Sequence, residues 1–191
     1  MDKYDVNYYD DIVKNMSDEC KKLVSNLKDT KFFVNPASNK YHHVYDGGLA
    51  QHSMEVFHNL CELASKDSNI NVSTDTLFLI GIGHDLDKIG RYRSKYNNFA
   101  YIPKKRLAQY HGGNSFAILK SYLGESFDDN PDYALIHLCI YTHMGDFGEI
   151  HPKSEFHKYK DEMPLVNYTF MADMVSCDSD KLNSDKVNTN D

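Results

Sequence analysis

The spacing of apolar residues near the start of the chain predicts an amphipathic helix over about residues 7–28. Its apolar positions fall three or four residues apart and are Ile12, Met16, Cys20, Leu23, Val24 and Leu27. The segment that follows, 29–47, contains Pro36 and several Asn, Ser and Gly residues, which are typical of irregular chain. This segment carries His42 and His43, and long loops inside a domain are usually functional or mobile.

Four further helices are predicted from apolar stripes, and each stripe includes a histidine or an aspartate. The first stripe follows Gly47-Gly48 and consists of Leu49, His52, Val56, Leu60 and Leu63; the second consists of Leu77, Ile80 and His84, in a helix from about Asp75 to Lys88 that is capped by Ser73 or Thr74. The third follows Asp129-Asn130-Pro131 and consists of Ile136, Cys139, Ile140 and His143. The fourth follows Pro164 and consists of Val166, Phe170, Asp173 and Cys177. A shorter helix is expected from Asn114 to Leu123, closed by Gly124.

Strand signals are almost absent, so the pattern predicts an all-α fold with a single domain. The segment from Arg91 to Ile102 is either a short hairpin or an ordered loop, and the segment around Pro152 is expected to be a second long loop. Beyond Asp178 the chain is polar and is expected to be a disordered tail. The predicted organisation is an N-terminal helix and connection over 1–40, a core over 41–178 and the tail over 179–191.

Length and composition place this core among ordinary globular proteins. A chain of 191 residues buries roughly 70% of its unfolded surface, which is enough for one core. No apolar run approaches the roughly 20 residues of a membrane span, and the acidic N-terminus lacks signal-peptide character. The chain is therefore expected to be soluble and cytoplasmic. The four cysteines are far apart and are expected to be reduced core residues.

Charge is distributed unevenly along the chain. The net charge of −7 argues against a partner such as duplex nucleic acid, which requires a basic surface. The stretch from Lys88 to Gly124 nevertheless has no acidic residue and eight basic ones. This stretch predicts a site that faces an anion, most plausibly phosphate. The alternative is that these are solvated surface charges that happen to cluster.

Five polar residues are predicted to be buried together, and they require an explanation. They are His52, His84, Asp85, His143 and Asp173. Burying an imidazole or a carboxylate is costly unless it is paired, and a metal ion is the simplest partner for several of them. A single histidine on an apolar stripe is more often a hydrogen-bonded core residue, but five such residues on successive helices indicate a metal centre between facing helices.

The order of these residues and the sequence motifs around them resemble those of the HD superfamily of metal-dependent phosphohydrolases. The matching motifs are GGLAQHS, IGHDLDKIG, YTHMGDFGE and FMADMVSCD, and the resemblance extends from about Tyr41 to Asp178. It is strongest to the HD domains of bacterial 3′-to-5′ exoribonucleases and to small stand-alone HD hydrolases of bacteria and phages. The resemblance implies an HD-type helical core with long functional loops.

The resemblance also implies a divalent metal, as one or two ions of Mn, Fe, Co, Zn or Mg. His52, His84, Asp85 and Asp173 would hold the first ion. Asp85 would bridge to a second ion held by His111 and His143, and the alternative for His111 is a loop histidine that contacts phosphate. Two departures from the family pattern are Asp87, where relatives have a small residue, and His-Met-Gly, where the exoribonuclease type has two histidines.

The expected activity is hydrolysis of a phosphoester of a nucleotide or a short or cyclic oligonucleotide by metal-activated water. Asp85 and Lys88 would be catalytic, and the expected substrate-binding residues are Lys88, Arg91, Arg93, His43, Lys104 and Arg106. Both a nucleotidase and a phosphodiesterase fit this expectation. The alternative is a non-catalytic nucleotide sensor on an HD scaffold; the sequence does not predict the oligomeric state.

Overall fold

A computed structural model of the chain describes the backbone of residues 4–95, 98–101 and 110–187, and the side chains of residues 4–91 and 110–177. These parts contain eight α-helices and one two-stranded antiparallel hairpin, so the all-α prediction is confirmed. The elements are α1 (Val6–Val13), α2 (Asp18–Lys28), α3 (Gly48–Ser65), α4 (Thr74–Gly83), β1 (Tyr92–Lys95), β2 (Asn98–Tyr101), α5 (His111–Leu123), α6 (Tyr133–Thr142), α7 (Ile150–Tyr159) and α8 (Pro164–Val187). Among the described residues, no helix combines the length and the apolarity that a membrane crossing requires.

The N-terminal region forms two helices instead of the single predicted one. Ser17 separates them, since its hydroxyl accepts a hydrogen bond from the Cys20 amide and caps α2. The Ser17 amide in turn donates to Asp75 at the start of α4, at 2.9 Å. The apolar spacing alone could not reveal the break, because Val13 in α1 and Leu23 in α2 both face the same core.

Helices α3 and α4 form the centre of the molecule. Helix α3 packs along α4 on one side and along α8 on the other. Every residue of α4 from Thr76 to Gly83 is buried, as expected for a helix that is apolar on all sides. The helix is capped by Ser73, as predicted, but it ends at Gly83 and is followed by a 3-10 turn over Leu86–Gly90. Asp85 lies at this change of geometry, with φ −112° and ψ 14°.

Two glycines allow pairs of helices to approach closely. A Cβ atom added at Gly81 in α4 would lie 2.7 Å from the Cα atom of Phe57 in α3. A Cβ atom added at Gly112 in α5 would lie 2.6 Å from the carbonyl oxygen of Tyr141 in α6. Real side chains do not tolerate such distances to backbone atoms, so these crossings require glycine.

Three boundaries in the second half of the chain differ from the predictions. Helix α5 begins at His111 and not after Asn114, although it ends before Gly124 as predicted. Helix α6 begins at Tyr133, two residues after Pro131. The segment around Pro152 is helix α7 and not a loop, since proline is tolerated in the first turn of a helix, where its missing N–H has no intrahelical partner.

The hairpin and the last helix complete the described chain. Strands β1 and β2 pair Tyr92 with Tyr101 and Arg93 with Ala100, which decides between the two predicted alternatives in favour of a hairpin. Helix α8 begins at Pro164 as predicted but continues to Val187, into the segment expected to be disordered. Extending an existing helix avoids the cost of nucleation, so a polar sequence can continue it. All four cysteines are free thiols, as predicted.

Candidate metal centre

Four donor atoms from three helices meet at one point in the core. We call them the first donor group: Nε2 of His52 on α3, Nε2 of His84 at the end of α4, Oδ2 of Asp85 and Oδ1 of Asp173 on α8. The two histidine nitrogens lie 3.3 Å apart, and each lies 3.4 Å from Oδ2 of Asp85. Oδ1 of Asp173 lies 3.1 Å from the His52 nitrogen and 4.0 Å from the His84 nitrogen. Donors bonded at about 2.0–2.2 Å to one ion are separated by roughly 3–3.5 Å, so His52, His84 and Asp85 have the dimensions of a metal site, and Asp173 lies beside them against His52.

The other oxygen of Asp85 faces a second donor group. This group consists of Oδ1 of Asp85, Nε2 of His111 on α5 and Nε2 of His143 at the end of α6. The Asp85 oxygen lies 2.6 Å from the His111 nitrogen and 3.9 Å from the His143 nitrogen. Asp85 therefore belongs to both groups, in the position of a carboxylate that can join two ions.

Backbone carbonyls orient two of the histidines. Nδ1 of His84 lies 2.8 Å from the carbonyl oxygen of Gly81, and Nδ1 of His143 lies 2.7 Å from that of Ile140. A carbonyl oxygen only accepts hydrogen bonds, so both Nδ1 atoms carry the proton and both Nε2 atoms present a lone pair. Nε2 of His143 is buried and has no hydrogen-bond partner among the residues that the structure describes. A buried polar atom of this kind indicates a missing ligand.

His52 is oriented by a chain of side chains behind it. Its Nδ1 atom lies 3.0 Å from the hydroxyl of Ser176, which donates to Glu55 at 3.0 Å. The Ser176 oxygen therefore accepts from Nδ1 of His52, which directs the Nε2 atom of His52 at the first donor group. His43 also bonds to Glu55, through Nε2 at 3.0 Å.

Asp87 orients His111 in the same way. Its Oδ2 atom lies 3.1 Å from Nδ1 of His111 and forms an ion pair with Arg91. Burial alone would raise the pKa of the Asp87 carboxyl, but the contacts with His111 and Arg91 outweigh it and lower the pKa to about 2. Asp87, the residue that differs from the pattern of the HD superfamily, is thus the hydrogen-bond partner of His111, a candidate ligand.

The carboxylates control the protonation of the ligands. Burial would lower the pKa of His52, but hydrogen bonds and charges of Asp173 and Asp85 outweigh it and raise the pKa to about 9. Burial opposes ionisation of Asp85 too, yet Lys88 and His84 hold its pKa well below the usual range. For His143, burial and the nearby His84 and His111 lower the pKa to about 3, so its imidazole is neutral at physiological pH.

A cavity of about 220 Å³ opens onto the two donor groups. It is lined by His42, Asp85, Lys88, Arg91, His111, Met144, Asp173, Met174 and Cys177. The ammonium of Lys88 lies 2.5 Å from Oδ2 of Asp85. Both basic residues of the lining, Lys88 and Arg91, were predicted to bind substrate.

One predicted site residue, His43, does not line this cavity. The side chain of His43 is 1% exposed, bonds to Glu55 behind His52, and is absent from the lining. Its neighbour His42 takes the place that the sequence analysis gave to His43. The side chains of Arg93, Lys104 and Arg106 lie outside the described part of the chain.

Four cavity residues were not predicted as site residues, and two of them, His42 and Cys177, carry possible metal-donor atoms. Nε2 of His42 lies 3.6 Å from Sγ of Cys177, and that sulfur lies 3.8 Å from Oδ1 of Asp173. Cys177 follows Asp173 by four residues on one helix, so its proximity could have been predicted from the spacing. Burial, with a contribution from the Asp173 charge, raises the pKa of the Cys177 thiol.

A larger groove of about 720 Å³ lies between α6 and α7, beside Tyr110. Aromatic rings of Tyr110, Tyr133, Tyr141 and Tyr159 line it, together with His137 and His151. Among the described residues, the groups of three donors that could hold an ion all lie at the smaller cavity. The chemistry therefore points to the smaller cavity and not to the larger groove.

Comparison with known proteins adds no relative: no protein-family model, no curated protein and no solved structure matches the chain. The resemblance to the HD superfamily therefore stays a prediction. The buried histidine and aspartate groups that could hold a metal ion are observed independently of it.

Proposed function

We propose that the chain is an HD-type metal-dependent phosphohydrolase that acts on a phosphoester of a nucleotide or of a short or cyclic oligonucleotide. One observation carries the proposal: the two oxygens of Asp85 face two separate histidine groups. A structural metal site needs only one closed set of ligands, whereas a shared carboxylate is the arrangement of two-metal hydrolytic centres.

The donor set favours a transition metal. Four of the six candidate ligands are histidines, which suit Mn, Fe, Co or Zn better than Mg, an ion that prefers oxygen ligands. When bound, such an ion would lower the pKa of a water molecule and polarise a phosphoryl oxygen. The residues of the chain hold the ligands in orientation, through Gly81, Ile140, Ser176 and Asp87.

Charge at the cavity makes phosphate binding dependent on metal. Lys88 and Arg91 face the three carboxylates of Asp85, Asp87 and Asp173. Without metal these carboxylates pair with Lys88, Arg91 and the neighbouring imidazoles, and one or two divalent ions would add positive charge to the site. Lys88 and Arg91 would then be available to hold phosphate oxygens.

The size of the cavity limits which part of a substrate enters it. Pockets that enclose a drug-sized ligand measure roughly 300–1,000 Å³, whereas this one measures about 220 Å³. A phosphoryl group with part of a sugar fits, and the remainder of a nucleotide would extend beyond the described lining.

The test is metal content followed by turnover. The purified chain would be loaded with Mn, Fe, Co, Zn or Mg and assayed for phosphate release from mono-, tri-, cyclic and short oligonucleotides. We expect turnover of one class that disappears in Asp85→Ala and persists in Asp146→Ala, a control in which an exposed aspartate paired with His157 is removed. Bound metal and tight nucleotide binding without turnover would instead support the non-catalytic sensor.

A further inference from the structure

A third group of possible metal ligands lies at the wall of the cavity and contains a thiol. It consists of His42 on the connection before α3, His52 on α3 and Cys177 on α8. One donor atom from each residue lies within 4.8 Å of the others. We propose that this group is a third metal position, which takes a thiophilic divalent ion such as Zn²⁺ and excludes the ion of the first donor group.

The geometry of the two new donors matches zinc. Bonds of about 2.3 Å to sulfur and about 2.0 Å to nitrogen in a tetrahedral site place these atoms about 3.5 Å apart. The measured separation between Sγ of Cys177 and Nε2 of His42 is 3.6 Å. Asp173 is adjacent, with Oδ1 at 3.8 Å from the same sulfur, so a carboxylate oxygen is within reach as a fourth ligand.

The chemistry of the donors separates this position from the other two. Both donor groups of the candidate centre contain only imidazole nitrogens and carboxylate oxygens, whereas the third position offers a sulfur. Thiolates select Zn²⁺ and other soft ions over Mg²⁺ and Mn²⁺. The S–H bond of Cys177 breaks as the sulfur–metal bond forms, and the proton passes to solvent.

Sharing of His52 makes the positions mutually exclusive. Nδ1 of His52 is bonded to Ser176, so only Nε2 can bind an ion, and one lone pair serves one ion. Zinc bound by His42 and Cys177 therefore removes a ligand from the first donor group and occupies the cavity. If the proposed function holds, excess zinc inhibits Mn-dependent turnover; the metal position itself does not depend on that function.

Cobalt titration of the full chain tests the position, because Co²⁺ bound to a thiolate gives a near-ultraviolet charge-transfer band. We expect the band in the wild-type chain and in Asp85→Ala, which removes the carboxylate shared by the first two groups. The band should disappear in Cys177→Ala and in the more conservative Cys177→Ser. His42→Ala should weaken cobalt binding at this position at least about 10-fold, since one of three ligands is lost.

Cys61→Ala is the matched control, because Cys61 is a half-buried free thiol on α3 that belongs to none of the three groups. It should leave the band unchanged. Circular dichroism would establish that each variant is folded. Absence of the band in the wild-type chain, or its persistence in both folded Cys177 variants, would overturn the proposal. Zinc inhibition of turnover should be relieved in Cys177→Ser; if no substrate is turned over at all, the cobalt result still decides the metal position.

Discussion

The first and second donor groups differ in how completely the protein encloses them. In the first, His52 and His84 are inaccessible to solvent and Asp85 and Asp173 are nearly so. In the second, His143 is buried, but the side chain of His111 is 15% exposed and lines the cavity. The first group also offers four ligands, whereas the second offers three. If the proposed function holds, we expect the first group to hold its ion tightly and the second to hold an exchangeable ion that is open to substrate.

The largest expected effect comes from the residue that the two groups share. Asp85→Ala should abolish binding of both ions and reduce turnover at least about 1,000-fold, because activated water is lost. Metal analysis of the purified variant, together with the phosphate-release assay, measures both effects. Retention of a tightly bound ion that is also independent of Cys177 would mean that the first group holds its ion without Asp85.

Removing one histidine from each group should separate the two positions. His84→Ala should lose the tightly bound ion, whereas His143→Ala should keep it with its four ligands and lose only the weaker one. Metal-to-protein ratios after dialysis are the measurement. Equal losses in the two variants would show that the centre behaves as a single site and that the comparison is wrong.

Substituting the hydrogen-bond partners of the candidate ligands should have smaller effects on metal affinity, and each substitution should affect only one of the two positions. Ser176→Ala removes the acceptor of Nδ1 of His52, and Asp87→Asn removes the charge that orients His111. Loss of such partners typically costs about 10–100-fold in metal affinity. Ser176→Ala should therefore weaken the tight position and Asp87→Asn the weak one, as measured by competition with a metal indicator.

The smallest effect on metal is expected from Lys88. Its ammonium contacts the oxygen of Asp85 that belongs to the first group, so it competes with an ion there. Lys88→Ala should leave metal content unchanged or slightly increase affinity, while it lowers turnover about 10-fold through loss of a charge-assisted bond to phosphate. Loss of metal in this variant would place Lys88 among the groups that maintain the centre.

The sequence predicted the helical fold and the ligands that lie on regular stripes. His52, His143 and Asp173 follow apolar neighbours at spacings of three and four, so their burial could be inferred from helix geometry alone. His111 had no such support, since the start of α5 was placed three residues too late. The orienting partners were not predictable, because contacts such as that between His52 and Ser176 join residues 124 positions apart.

The choice between His42 and His43 also lay beyond the sequence. The two are adjacent in an irregular segment, where no periodicity indicates which side chain faces the core. His43 has a positive φ of 46°, unusual for a residue other than glycine, and its ring bonds to Glu55. His42 lines the cavity instead, and the contact of His43 with Glu55 that accompanies this arrangement forms only in the folded chain.

The glycine crossings have a consequence for how the protein tolerates change. At Gly81 and Gly112 the helix backbone packs directly against the backbone of the neighbouring helix. The distance between the paired helices is therefore set by contact of rigid backbone atoms and not by deformable side chains. Gly81 belongs to the crossing that carries His52 and His84, and Gly112 to the one that carries His111 and His143. Substitutions among the surrounding apolar residues can therefore lower thermal stability without changing the distances between the candidate donor atoms. The preference among ions, which depends on those distances, would stay the same.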